Sequence, residues 1–302
     1  MKKEPKIFVI IVTYKGMRWY DKCFGSLRES TIPLQTVVVD NTPGDEDAEY
    51  IKVHFPEVHI IKTNENLGFG RANNLGMRYA LDNGCDYVFL LNQDTWLIQN
   101  EAIAELVAIA EAHQEYGIVS PMHLTATQDK LFMMIGLGQD NMPLVSDLYL
   151  QNIDTIYETN YVNAAAWLLP RKILLEVGGF TPIFQQYAED DDYINRVLYH
   201  HYKIGVCPSI KIVHDHQDSF SALVHKKSQG SHTLFAEWLN LKTLFSAGKY
   251  YRLYVRRWLK SVLSRDHNSR VYYSKAITLL NRHEKEIKDM RYQNMQKQAS
   301  WL

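Results

Sequence analysis

The chain has 302 residues, 46% of them hydrophobic, which is ample for one large domain or for one domain with an appendage. No stretch approaches the roughly 18 to 20 apolar residues that cross a bilayer, and Cys23, Cys85 and Cys207 stand far apart in no metal-ligand spacing, as structural thiols of a reducing compartment do. The formal charge of −1 conceals a split, because residues 241–302 carry 14 Lys and Arg against 4 Asp and Glu; so basic a tail points to an anionic partner, phosphate or lipid surface.

Two lysines precede the apolar run 7–12, but the run is too short for a signal-peptide core and no small-residue cleavage site follows. It reads instead as the first strand, and the chain as cytoplasmic, with contact at the inner face of the membrane left open. Further strands are expected over 36–40, 59–63, 87–91 and 118–120, with helices over 18–30, 45–54, 70–83 and 101–116 between them. Gly84 suits a helix C-terminal cap and Asn100 an N-cap. Apolar runs separated by helices predict a mostly parallel α/β sheet, whose ligands bind beyond the carboxyl ends of the strands. Those ends carry Thr13-Tyr14, Asp40-Asn41, Asn64 to Asn66 and Asn92 to Asp94. Residues 121–160, with Gly136, Gly138 and Pro143, break the pattern and read as an insertion of loops and short strands. A strand over 162–169, a helix over 189–202 and short strands over 204–206 and 210–213 follow, and beyond about Phe235 the chain is helical and basic. No internal repeat or low-complexity segment occurs.

Four clusters carry chemistry. Asp40 and Asn41 can accept hydrogen bonds from a base or sugar, although Asp and Asn fill turns and caps just as readily. Asn66-Leu67-Gly68-Phe69-Gly70-Arg71-Ala72-Asn73-Asn74 lets the backbone approach a ligand and offers an anion a helix N-terminus and Arg71, or it is an ordinary turn into a helix. It lacks the G-x-G-x-x-G order of a dinucleotide fold. Asn92-Gln93-Asp94 gives one carboxylate and two amides, oxygen ligands for Mg²⁺ or Mn²⁺ when substrate phosphates complete the shell, or simply opens a turn. Glu189-Asp190-Asp191-Asp192 cannot all serve one site at about 100° per residue; crowded acids can produce a general base, or can stabilise a first helical turn. His214 and His216 form an H-x-H pair with nothing placed to complete tetrahedral zinc.

Val12-Thr13-Tyr14, Val39-Asp40-Asn41, the 66–74 stretch, Leu90-Leu91-Asn92-Gln93-Asp94-Thr95, Ala166-Trp167-Leu168, Gly178-Gly179-Phe180, the 189–192 acids and His214-Asp215-His216-Gln217-Asp218-Ser219 occur in the order seen in glycosyltransferase family 2. The set resembles that family's inverting, GT-A-fold enzymes, and within it the rhamnosyltransferase-like branch, over roughly residues 7–220. The resemblance implies a GT-A catalytic domain over 1–220 (nucleotide-binding half 1–120, acceptor and catalytic half 121–220) and a basic helical extension over 221–302. It implies a nucleotide-diphospho-sugar donor, dTDP-rhamnose or a UDP-hexose, and a saccharide or lipid-linked acceptor in surface polysaccharide synthesis, with Mg²⁺ or Mn²⁺ as cofactor. Thr13, Tyr14 and Asp40 would meet the nucleotide, and Asn66, Gly68, Arg71 and Asn92 would line the donor side. Asp94, the last acid of the family's D-x-D, and His214 would hold the ion. Asp190 would be the base, with Trp167, Glu189 and Asp191 toward the acceptor. Asn92 departs from the family pattern, because the first acid of D-x-D is an amide here.

In the tail, helical spacing over 238–263 places Leu241, Leu244, Phe245, Trp258, Val262 and Leu263 on shared faces, interleaved with Arg252, Arg256, Arg257 and Lys260 among tyrosines. Such a helix either lies on an anionic membrane or packs on the catalytic domain. No nucleic-acid partner is expected, and self-association is left open. Two other readings compete: a sugar-phosphate nucleotidyltransferase, against which stands the absence of repeated glycines after the first strand, and a non-catalytic nucleotide-sugar or carbohydrate-binding protein, against which stand Asp94 and Asp190.

Overall fold

A computed structural model describes residues 4–132, 142–215 and 230–302; Lys2, Lys3, Gly136, Gly138 and His216, and the boundary placed at 220, lie outside them. One mixed sheet organises the chain. Its strands are β1 (Ile7–Thr13), β2 (Leu34–Asp40), β3 (His59–Lys62), β4 (Tyr87–Asn92), β5 (Thr95–Leu97), β6 (Tyr116–Leu124), β7 (Tyr157–Glu158), β8 (Ala166–Pro170) and β9 (Lys203–His214). They lie in the order β3-β2-β1-β4-β8-β6-β9-β5, with β7 also paired to β9. The strands β3, β2, β1 and β4 run parallel, β8 is antiparallel to β4 and β6, and β6 is parallel to β9.

The uninterrupted apolar run of β1 is buried on both faces, as a central parallel strand must be. One face packs on α1 (Met17–Arg28), α2 (Glu46–His54) and α4 (Ala102–Ala112). The other packs on α3 (Phe69–Asp82), α6 (Arg171–Glu176) and α7 (Glu189–Tyr199). Each fully buried aliphatic or aromatic side chain of these layers contributes about 1.5–3 kcal/mol. A third cluster joins Phe184 and Ala188 to α8 (Ser231–Leu239), α9 (Ala247–Leu263) and α10 (His267–Met295), so the helical extension packs on the segment that leads into α7.

Several sequence expectations are corrected. The two short strands at 204–206 and 210–213 are one bulged strand, because β6 follows β9 through a register shift past Pro121. The stretch read as loops contains helix α5 (Met142–Leu150), with Pro143 in its first turn, where a missing N–H costs nothing. The cap of α4 is Glu101 rather than Asn100, whose carbonyl instead accepts from the Thr31 N–H. Gly84 does take the left-handed conformation after α3, at φ 71°. The continuous helix read over 238–263 breaks between α8 and α9. There the buried Arg291 of α10 donates to the Trp238, Asn240 and Thr243 carbonyls at 2.8, 2.7 and 2.5 Å, satisfying a helix end that would otherwise lose its partners. Leu244 falls in this break and is 94% exposed, off any shared apolar face.

Candidate active site

The carboxyl ends of β1, β2 and β4 open on a cleft of about 630 Å³. Tyr14, Asn41, Asn66, Gly68, Asn92, Gln93 and Asp94 line one side, and residues 183–187 with Ser231, His232 and Phe235 line the other. Of the residues expected at the site, the fold brings Tyr14, Asn66, Gly68, Asn92 and Asp94 to this cleft.

Asp94 follows β4 in a two-residue turn, after which β5 pairs antiparallel with the end of β9, Thr95 opposite His214. The Asp215 N–H donates to the Asp94 carbonyl at 2.9 Å. This pairing sets His214 Nε2 3.5 Å from Asp94 Oδ1, although the two are far apart in sequence. His123 packs edge-on to His214 with ring centroids 5.8 Å apart, and burial followed by the neighbouring His214 holds it well below the usual imidazole range. Among the described residues no group of three or more His, Cys, Asp or Glu could hold an ion. One carboxylate and one imidazole, set at the edge of an open cleft, nevertheless fit a divalent ion whose remaining positions are filled by phosphate and water.

The wall around Tyr14 is fixed by Gln93, whose Oε1 accepts the Tyr14 N–H at 2.9 Å while its Nε2 donates to the Tyr14 carbonyl at 3.2 Å. Gly68 begins α3 at φ 80°, and a Cβ there would stand 2.0 Å from the Gln185 carbonyl oxygen. Glycine is therefore required twice over, by conformation and by the approach of the opposite wall. Further along α3, Asn74 accepts from the Phe180 N–H at 2.7 Å and donates to the Phe180 carbonyl at 2.8 Å. The 66–74 and 178–180 motifs thus interlock.

The acids of α7 diverge as the helical period requires. Asp190, 7% exposed, accepts from the Tyr161 hydroxyl at 2.7 Å on Oδ2 and from the Asp191 N–H at 3.0 Å on Oδ1. Burial first, then the charges of Asp190, Asp191 and Glu189, holds the Tyr161 phenol well above its ordinary range, so it stays a proton donor. Asp192 accepts from Thr181 at 2.6 Å and from the fully buried Arg196 at 3.1 Å, and Arg196 also donates to the Val177 and Gly179 carbonyls. Asp192 is a structural acid. Asp190 does not itself line the cleft; it sits three residues beyond Tyr187, which does, and Glu189 and Asp191 are likewise not in the lining.

Four expected residues stand elsewhere. Thr13, Asp40 and Lys62 occupy facing rungs of β1, β2 and β3, and Asp40 is fully buried. Its carboxylate accepts from Lys62 Nζ at 2.7 Å, the Thr42 N–H at 2.9 Å and the Thr13 hydroxyl at 3.1 Å, which turns it into the sheet rather than toward Asp94. Arg71 is exposed and donates to the Leu67 carbonyl at 2.9 Å, away from the cleft lining. Trp167 is fully buried at mid-strand and stacks on Phe180 and Tyr193, because its register opposite Leu90 turns it toward α7. Sequence reading missed Lys62, Tyr161, the 183–187 wall and the α8 residues, and it offered Gln93 as an oxygen ligand for an ion, whereas its amide braces the Tyr14 backbone.

The sequence model of Glycosyl transferase family 2 matches residues 8–142. The chain is 24% identical over 220 residues to the low-salt glycan biosynthesis hexosyltransferase Agl10 of Haloferax volcanii, covering 68% of this chain and 66% of that protein. It is 24% identical over 217 residues to the dTDP-rhamnosyl transferase RfbF of Shigella flexneri, covering 70% and 69%. In three dimensions it is similar to the mannosyltransferase PcManGT of Pyrobaculum calidifontis in complex with GDP-Man and Mn²⁺, with TM-score 0.54 and 16% identity over 80% of this chain and 63% of that one. The chain therefore spans about two thirds of the length of these relatives. Motif order, the family-model match and the GT-A architecture agree, and residues 8–142 are the part of the chain that matches glycosyl transferase family 2.

Proposed function

We propose that the chain is an inverting, metal-assisted glycosyltransferase that moves a sugar from dTDP-rhamnose or a UDP-hexose onto a saccharide or lipid-linked saccharide during surface polysaccharide synthesis. The observation that carries this reading is the meeting of Asp94 and His214 at the rim of a cleft whose far wall leads directly into Asp190. Tyr14, Asn66, Gly68 and Asn92 receive the donor, and Thr13 and Asp40 hold the shape of that wall from behind. Asp94 and His214 would hold Mg²⁺ or Mn²⁺, which when bound neutralises charge on the departing diphosphate. Asp190, oriented by Tyr161, takes the proton of the acceptor hydroxyl as that oxygen attacks the anomeric carbon. A single displacement with one base inverts the anomeric centre. Asp191, half-buried one residue beyond the base, is assigned to the acceptor side, and Trp167 and Glu189 support that side from the interior.

The test is a melting-temperature screen of nucleotide-sugars with and without Mn²⁺, since a ligand of the native state raises the transition. dTDP-rhamnose or a UDP-hexose is expected to raise it, and more so with the ion; no shift from any nucleotide-sugar would refute the reading.

A membrane-facing role is assigned to α9. Its outward face carries Lys249, Arg252, Arg256, Leu259, Lys260 and Leu263, all exposed. Among the described residues no carboxylate lies within ion-pair distance of these cations. No helix of the described residues is long and apolar enough to cross a membrane, so contact would be along the surface. The protein is expected to float with phosphatidylglycerol-containing vesicles at low salt and not with pure phosphatidylcholine. Equal flotation of an Arg252→Ser, Arg256→Ser, Lys260→Ser variant would remove the assignment.

A further inference from the structure

The two walls of the cleft differ in chemistry. Strand-end amides and Asp94 face the donor side, whereas Tyr187 and His232 present rings from the other. Those rings lie with centroids 5.7 Å apart and planes at 55°, and both side chains are half-buried at the cleft surface. Their positions are built in. The His232 ring lies over Gly230, where a Cβ would come within 1.9 Å of its Cε1. Below it, Phe235 is 7% exposed and packs edge-on against the buried Trp238 at 5.6 Å. Tyr187 and the following Ala188 both have φ 68°, a left-handed pair whose cost of about 1–3 kcal/mol per residue is met only where surrounding packing demands it. Here that packing includes Ala188 and Phe184 set into the α8–α10 core.

We propose that Tyr187 and His232 form the platform on which the acceptor saccharide rests, so that the C-terminal helices supply half of the acceptor site. A pyranose ring has one face rich in C–H groups and a rim of hydroxyls. Two adjacent amphipathic rings cover the first while leaving the rim free to hydrogen-bond. Because Tyr187 stands three residues before Asp190, a sugar resting there is carried by the same segment that carries the base. Both rings lie beyond residue 142, where the family-model match closes. This inference rests on the glycosyl-transfer reading and names the acceptor side of that same site.

Saturation-transfer NMR with the methyl glycosides of rhamnose, glucose, galactose and N-acetylglucosamine reads the platform without turnover. At least one glycoside is expected to show transfer concentrated on its ring C–H protons in the wild type. Tyr187→Ala and His232→Ala should lose it, Tyr187→Phe and His232→Phe should keep it, and Gly230→Ala should behave as His232→Ala because it displaces the ring. Once an acceptor is in hand, both alanine variants are expected to raise its KM about tenfold while the UDP-induced melting shift stays at the wild-type value. No saturation transfer in the wild type, equal transfer in wild type and alanine variants, or an equal loss of UDP binding overturns the platform. Failure of the underlying reading would show separately, as absence of sugar release or transfer from every nucleotide-sugar with the wild-type protein.

Discussion

Asp190→Asn is expected to lower kcat by about 10²–10⁴-fold, the usual contribution of a positioned general base. The melting shift caused by the donor should stay at the wild-type value. The substitution is nearly isosteric, and its structural cost is confined to one hydrogen bond. The carboxylate accepts from both the Tyr161 hydroxyl and the Asp191 N–H, whereas an amide has one oxygen for the two donors. Losing one such bond costs about 1 kcal/mol of stability, which leaves the fold intact. Neither Asp192 nor Tyr161 can take over the role. Asp192 is committed to Thr181 and Arg196, and Tyr161 is held in its protonated form by burial and by the surrounding acids. Single-turnover assays at saturating donor separate the chemical step from binding; turnover within about fivefold of wild type would remove Asp190 from the mechanism.

Asp94→Ala should dissociate two effects that are joined in the wild type. With one carboxylate and one imidazole in reach, the protein alone offers an ion too little charge, so metal and diphosphate are expected to bind cooperatively. Reciprocity then requires each to raise the affinity of the other by the same factor, with coupling on the order of 1–3 kcal/mol. In the variant His214 remains but the charge does not. The donor-induced melting shift should therefore be the same in Mn²⁺ and in EDTA, and smaller than the wild-type shift in Mn²⁺. A Mn²⁺-dependent donor shift that survives the substitution would place the ion elsewhere. The amide at Asn92 sharpens the expectation, because a first acid at that position would have lessened the dependence on the donor's phosphates.

The first half of the fold is open to sequence reading because its signals are local. The run Ile7–Thr13 is long, apolar and bounded, and the helices between strands carry clean periodicity. Short elements leave no such trace: Thr95–Leu97, only 3 residues long, is not among the expected strands, yet this strand is what sets Asp94 beside His214. Motif order indicated that both residues belong to the site, and only strand pairing supplied the reason they touch. Asp40 shows the opposite failure. Its place at a strand end looks like a ligand contact, but the register that sets Lys62 on the adjacent rung exists only once the sheet has formed. Trp167 is misleading in the same way, since the face on which a mid-strand side chain emerges depends on the neighbouring strand. The far wall was hidden for a further reason, because Tyr187 and His232 meet through packing between segments that share no motif.

The clasp between Asn74 and the Phe180 backbone has a meaning for how such enzymes can be recombined. Both main-chain groups of Phe180 are answered by one side-chain amide, and Gly179 is the residue that makes room, since a Cβ there would lie 2.4 Å from Asn74 Oδ1. No other side chain of that length offers a donor and an acceptor side by side; aspartate would turn a carboxylate onto a carbonyl. A hybrid that joins one relative's first 120 residues to the remainder of another cuts between these partners. Its success would be decided less by the two ligand pockets than by whether position 74 and the glycine at 179 descend from compatible parents.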